Sequence, residues 1–223
     1  MALSGCGKPA SSPPPASPAK SARAPYQSAE ACQSCHPVQY ADWLKSHHAA
    51  ANRPVDPVLD AAPFAQETTL QHGSITSTMR RVDGRIEIVT KDLDGQYVPM
   101  QPEAVIGIDP LIQYLVPFPN GRLQSFSLAY DVHSNEWFDI FSGEDRQPHE
   151  WGFWGGRGMN WNAQCASCHM TGYDKGYEVK TDRYHTTWDA QGIQCAQCHG
   201  AMTDHINRVK NGTYAKPSAP DPV

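Results

Sequence analysis

The sequence predicts an α+β fold with much irregular loop: a core of short helices, plus an antiparallel β insertion between the first and second of three related helical segments. Three observations predict it. One five-residue pattern, Cys-x-x-Cys-His, occurs three times. Short alternating or β-branched runs punctuated by Asp-Gly and Asn-Gly fill the middle of the chain. Gly and Pro together make about 16% of the residues, above an average near 12%, so long regular elements are scarce.

The repeated pattern comes first. It reads Cys32-Gln33-Ser34-Cys35-His36, Cys165-Ala166-Ser167-Cys168-His169 and Cys195-Ala196-Gln197-Cys198-His199. With 7 Cys and 10 His in 223 residues, chance supplies about 0.01 copies. Cys-x-x-Cys-His is the attachment signature of c-type haem: each thiol adds to a porphyrin vinyl group and the His becomes the proximal iron ligand. The expectation is three c-type haems, held by six cysteines, with His36, His169 and His199 on the irons. A zinc ribbon built from Cys165/Cys168 and Cys195/Cys198 leaves Cys32/Cys35 over and gives no reason for the histidines. Disulfide or thioredoxin-like readings fail on the same histidines.

The N-terminus, residues 1–27, reads as an anchor and tether. Leu3-Ser4-Gly5-Cys6 looks like a bacterial lipobox, with Cys6 the lipidation candidate. Only Met1 and Ala2 precede it, so a trimmed start is expected; a stray cysteine is the alternative. The Pro-, Ser- and Ala-rich stretch that follows has no hydrophobic periodicity and a reach on the order of 60 Å if extended. Residues 28–207 form the expected trihaem domain, and 208–223 a C-terminal tail. No stretch approaches the ~18 apolar residues of a membrane span, and a formal charge of −5 makes nucleic acid an unsuitable partner.

After the first motif, Pro37 suits a first helical turn. Tyr40, Trp43, Leu44, His47 and His48 follow at helical spacing, placing aromatics and two imidazoles on one face. From about residue 68 to 141 the chain reads as strands: Ile75–Met79, Arg85–Thr90, Gln96–Met100, Leu123–Tyr130 and Trp137–Phe141, with hairpins at Asp83-Gly84, Asp94-Gly95 and Asn120-Gly121. The Trp151–Trp161 run can equally pack on a porphyrin or fill an ordinary core. Only 25 residues separate His169 from Cys195, so the second and third haems are expected to be neighbours.

Seven histidines remain for the distal positions: His47, His48, His72, His133, His149, His185 and His205. A His a few residues past its own motif does not easily reach round the porphyrin edge. His205 therefore serves a haem other than that of His199, and, more weakly, the same holds for His48 and the haem of His36.

Cys32-x-x-Cys-His36 followed by Trp43 and Ser46-x-His48, a middle motif, and Cys195-x-x-Cys-His199-Gly200 with a trailing His205 resembles the multihaem cytochromes c of the cytochrome c-554 type. Ile106–Val116, Asn120-Gly121-Arg122-Leu123-Gln124 and Asn160–Cys165 look like a bacterial branch with a β insertion. The resemblance covers about residues 28 to 207. It implies crossed distal ligands, His205 for the haem of His36 and His48 for that of His199. It leaves the middle haem to His72, His149 or His185, or to no ligand, as in the tetrahaem relative. Ala201-Met202 replaces the usual Pro-Gly and a fourth motif is absent, which points to a trihaem form or an N-terminal module.

The leading expectation is a periplasmic or cell-surface electron-transfer protein. Its partners would be other cytochromes or a membrane quinol-linked complex, with the membrane reached through Cys6. A multihaem oxidoreductase or small-molecule binder acting at an open middle haem, with His149, His185 and Arg157 nearby in sequence, is the alternative. A repeat unit or module of a larger haem assembly is a third.

Overall fold

A computed structural model describes residues 24–214; Cys6, most of the tether and the last part of the tail lie outside the described residues. The chain opens with two short helices around the first motif, α1 (Glu30–Gln33) and α2 (Pro37–Leu44). α2 starts on Pro37, whose missing N–H costs nothing in a first turn. It stops at Leu44, one turn short of the expected imidazole pair. Lys45 N donates to Asp42 O and Ser46 N to Trp43 O, and Ser46 Oγ donates to the same Trp43 carbonyl at 2.6 Å. These bonds consume the acceptors on which a longer helix depends, so His47 and His48 lie in the turn beyond the helix rather than on its face.

The β region follows. β1 (Arg53–Pro54) leads to a meander of β2 (Thr68–His72), β3 (Ile75–Val82), β4 (Arg85–Lys91) and β5 (Tyr97–Met100), an antiparallel four-stranded sheet in sequence order. β6 (Ala104–Ile106), β7 (Leu111–Phe118), β8 (Arg122–Asp131) and β9 (Glu136–Asp139) form a second antiparallel sheet, in which β6 also pairs with β1. The turns obey their residues. Asp83 and Gly84 both take positive φ in the two-residue β3–β4 link, as do Asn120 and Gly121 between β7 and β8, the conformation these residue types adopt most cheaply.

Alternation along β3 and β4 turns Ile75, Ser77 and Met79, and Ile86, Ile88 and Thr90, inward. These apolar side chains meet Val105, Ile112, Tyr114, Phe126, Leu128 and Trp137 of the second sheet in one core. Phe153 and Trp154 complete it, and the Trp154 indole donates to Lys91 O at 2.9 Å. The aromatics of the Trp151 run thus serve core packing at these two positions, while Trp151 is exposed.

The second motif lies on α3 (Trp161–Gln164) and α4 (Ala166–His169). Four two-residue strands follow: β10 (Met170–Thr171), β11 (Tyr177–Glu178), β12 (Arg183–Tyr184) and β13 (Ala190–Gln191), pairing β10 with β13 and β11 with β12. The third motif is α5 (Cys195–His199), and α6 (Thr203–Lys210) carries His205 and runs past residue 207.

Candidate haem-binding site

Each motif is a single helical turn. His36 N donates to Cys32 O at 2.9 Å and His169 N to Cys165 O at 3.2 Å. The first Cys and the His are thus i, i+4 neighbours, and the second Cys at i+3 shares their face. The spacing therefore aims two thiols and an imidazole in one direction. In all three motifs the first thiol is half-buried and the second exposed, and all six are free. Among the described residues no three His, Cys, Asp or Glu side chains gather into a metal-ion site, so the two downstream thiol pairs do not meet as a four-thiolate centre.

The helices around the first and third motifs lack a core of their own. α1, α2 and α6 bury no residue, and α5 buries only Ala196. Val38 and Leu44 of α2 are 66% and 53% exposed beside the first motif. Helices of four to eight residues are not stable alone in water, and these apolar side chains need a partner. Porphyrin plates attached at the adjacent thiols would supply it.

The imidazoles fit the same group. The rings of His36 and His205 lie 6.4 Å apart centre to centre, with planes 35° apart. Two metal–nitrogen bonds of about 2 Å, each extended by the ~1.1 Å from nitrogen to ring centre, give about 6.3 Å. A centre-to-centre distance of this size leaves room for one iron between the two rings.

His169 is oriented from behind: its Nδ1 donates to Ala51 O at 2.8 Å, which leaves Nε2 as the free nitrogen. Three residues upstream of Ala51, His48 O accepts from Ile193 N at 2.9 Å, and Trp43 Nε1 donates to Ile193 O at 2.8 Å. Gly192 makes this approach feasible. Its φ is +66°, and a Cβ there would meet Ala49 O and His48 O at 2.8 and 2.9 Å. The segment from His48 to Ala51 thus touches both the entry to the third motif and the proximal His of the second.

The first and third motifs also adjoin. Burial, and then the neighbouring Cys195 thiol, raise the Cys32 thiol above its ordinary range. Ala29 N donates to Gln194 Oε1 at 2.9 Å, joining the entries to the two motifs. The second motif is riveted to β8 instead. Leu123 N donates to Asn162 Oδ1 at 2.7 Å, Asn160 Nδ2 to Gln124 Oε1 at 3.0 Å, and the Asn160 side chain caps α3 through Ala163 N. Leu115, Trp161, Ala166 and Met170 pack together behind Cys165, whose thiol burial pushes up.

The three candidates for the middle position have the following surroundings. His72 Nε2 bonds Ser77 Oγ at 2.8 Å, which continues to Thr90 Oγ1 at 2.7 Å inside the β region; burial pushes the His72 imidazole down. His149 is exposed on the loop after β9, and His185 faces Glu178 across the β11–β12 hairpin at 4.0 Å. Arg157 pairs with Asp182 at 3.1 Å. His47 and His133 both face Asp109, at 4.0 and 2.8 Å. Ala51, Gln194 and Gly192 carry no signal in the sequence: Ala51 and Gly192 act through a backbone atom or the lack of a side chain, and none of the three is a ligand type.

Three helical Cys-x-x-Cys-His turns define a c-type cytochrome, a protein that holds its haem covalently. The sequence profile described as cytochrome c554 and c-prime matches residues 31–83 and 141–200, and the chain belongs to that family. The matched segments contain all nine Cys-x-x-Cys-His residues and skip 84–140, most of the β region. Among solved structures, the chain is similar to the outer cell wall cytochrome OcwA (TM-score 0.48, 18% identity, 87% of this chain and 35% of that one). It is also similar to the undecahaem cytochrome from the S-layer of Carboxydothermus ferrireducens (TM-score 0.48, 17% identity, 82% of this chain and 21% of that one). It therefore spans about a third and a fifth of those two chains. Comparison with curated proteins gives no match.

Proposed function

We propose that this cytochrome is a trihaem electron carrier working outside the cytoplasmic membrane, with haems at His36, His169 and His199. His205 is the sixth ligand at the iron of His36, and His48 that at the iron of His199. Haem so ligated supplies a one-electron couple at low-spin iron, whose geometry changes little on reduction. The chain's own residues hold the ligands: α6 carries His205 to His36, Gly192 and Ile193 hold the His48 backbone, and Ala51 fixes the His169 tautomer. The observation that carries the reading is the 6.4 Å His36–His205 spacing. The contact of Cys32 with Cys195, and the short path from His48 to Ala51, support close haem-to-haem transfer among all three.

Among the described residues no helix is long and apolar enough to cross a membrane. A lipid on Cys6 and the tether behind it would hold the domain at a membrane, with other cytochromes or a quinol-linked complex as electron partners. The chain so read is a trihaem protein or the first module of a longer haem assembly.

One observation favours a second reading, a small-molecule site at the middle haem: His72 and His185 already have other partners, Ser77 and Glu178. Haem counting on the exported chain, with carbon monoxide added to the reduced form, tests both. Three haems per chain and no carbon monoxide binding uphold the carrier reading. Binding at about one haem in three transfers the middle site to the second reading, and fewer than three haems overturns the trihaem assignment.

A further inference from the structure

The geometry points to Tyr214 as a positioning residue for the axial ligand His205, and we propose that its ring sets the rotation of that imidazole about the iron–nitrogen axis. The proposal rests on His205 being the sixth ligand at the iron of His36.

α6 has little else with which to restrain a ligand. It buries no residue, and it begins at Met202 in a left-handed conformation with no side-chain cap. Its other end, however, folds back. Asn211 N donates to Asn207 O, Gly212 takes φ +66°, and Gly212 N donates to Val209 O. Thr213 N and Tyr214 N then both donate to Arg208 O, at 2.8 and 3.2 Å, a glycine-turned closure of the kind that satisfies terminal carbonyls. This closure lays Tyr214 along the helix on top of His205. The two rings meet edge to face, 4.8 Å apart and 86° between planes, the arrangement aromatic quadrupoles prefer. His205 is thus gripped between the Tyr214 ring and the space that it shares with His36.

Ring rotation matters because imidazole donates π density to iron through the orbital perpendicular to its plane. Two ligands with nearly parallel planes load one iron dπ orbital and split the pair, giving a rhombic ferric spectrum. Perpendicular planes load both equally and give an axial spectrum with a higher largest g-value. The 35° between His36 and His205 lies on the parallel side, and among the described residues the Tyr214 ring is the one paired with His205 besides that of His36.

The test is ferric EPR of the haem-loaded chain. His205→Ala identifies the signal: one low-spin component should disappear, and retention of every low-spin signal would overturn both the ligand assignment and the role of Tyr214. In Tyr214→Ala that component should stay low-spin but broaden and move to a higher largest g-value, while Tyr214→Phe should restore the wild-type line. Tyr214→Leu keeps bulk without a ring plane and should behave like the alanine variant; it decides the matter if Tyr214→Ala fails to load haem. Loss of the component in His205→Ala, with wild-type g-values and widths in both Tyr214→Leu and Tyr214→Ala, would overturn the positioning role alone.

Discussion

Replacing Asp60 with alanine should destabilise the domain by about 3–5 kcal/mol, the cost of leaving a buried charge without its partner. Asp60 is fully buried, and the Arg53 side chain is only 14% exposed. Their two parallel bonds are both 2.7 Å long, and Asp60 also accepts from Asp56 N at 2.7 Å. Removing the carboxylate strands the guanidinium and frees the turn that leads into the Phe64 segment of the core. At roughly 2–4 °C per kcal/mol for a domain of this size, the melting temperature should fall by about 6–20 °C. Guanidinium titration followed by circular dichroism in the strand band measures the loss directly. The pair itself need not be a net gain, because Arg53 Nε has no partner and two buried charges lose much hydration. The double variant Arg53→Met/Asp60→Leu should therefore recover most of what Asp60→Ala loses. A loss below about 1 kcal/mol in Asp60→Ala, or a double variant as unstable as the single, would refute the buried-charge argument.

Gly192→Ala places a side chain where φ is +66° and the carbonyls of His48 and Ala49 already stand. It should cost about 2 kcal/mol or more and, with His48 ligating the haem of His199 as proposed, disturb that haem's low-spin signal before the others, as EPR on the loaded variant would show. His72 is held below its ordinary range by burial, with Asp139 and Asp145 pulling the other way. A base depressed in the folded state binds more protons when unfolded, so its contribution is present above the unfolded value of about 6.5 and is lost as pH falls through it. His72→Gln should flatten the acid side of the stability profile; an unchanged slope in denaturant titrations from pH 7 to 5 would count against it.

The parts of this protein that the sequence displays are those governed by residue type over a few positions. Cys-x-x-Cys-His shows because its chemistry needs those side chains at i, i+3 and i+4. The Asp83-Gly84 and Asn120-Gly121 turns show because few other pairs adopt positive φ twice. β3, β4 and β8 show through inward apolar residues. β7 does not show as a strand in the sequence: Leu111–Phe118 has a bulge between Gln113 and Leu115 and carries Pro117, which breaks the period of two. The end of α2 does not show in the helical spacing, because a Ser46 hydroxyl competes with the next helical turn. The meeting of His36 and His205 spans 169 positions of chain, and spacing alone said only that His205 must look beyond its own motif. A family resemblance supplied that pairing. Ala51 was invisible for a simpler reason: any residue has a carbonyl.

The division of the core between protein and porphyrin has its own consequence. The apolar cluster that joins the sheets runs from Phe64 to Trp154 and needs no haem to close. The second motif is bound to β8 by Asn160, Asn162 and the cluster around Trp161. α1, α2 and α6 bury nothing, and helices this short do not persist unaided. A chain made without haem should therefore keep its strand signal and the order of the second motif while the first and third motifs open. Brief trypsin digestion should cut first at Lys45, Arg208 and Lys210 and spare Arg122 on β8, and haem attachment should abolish the early cuts. A haem-free chain without strand signal, or one cut first within β8, would mean that the sheets also depend on the porphyrins, and that the β region and the haem segments fold as one cooperative unit.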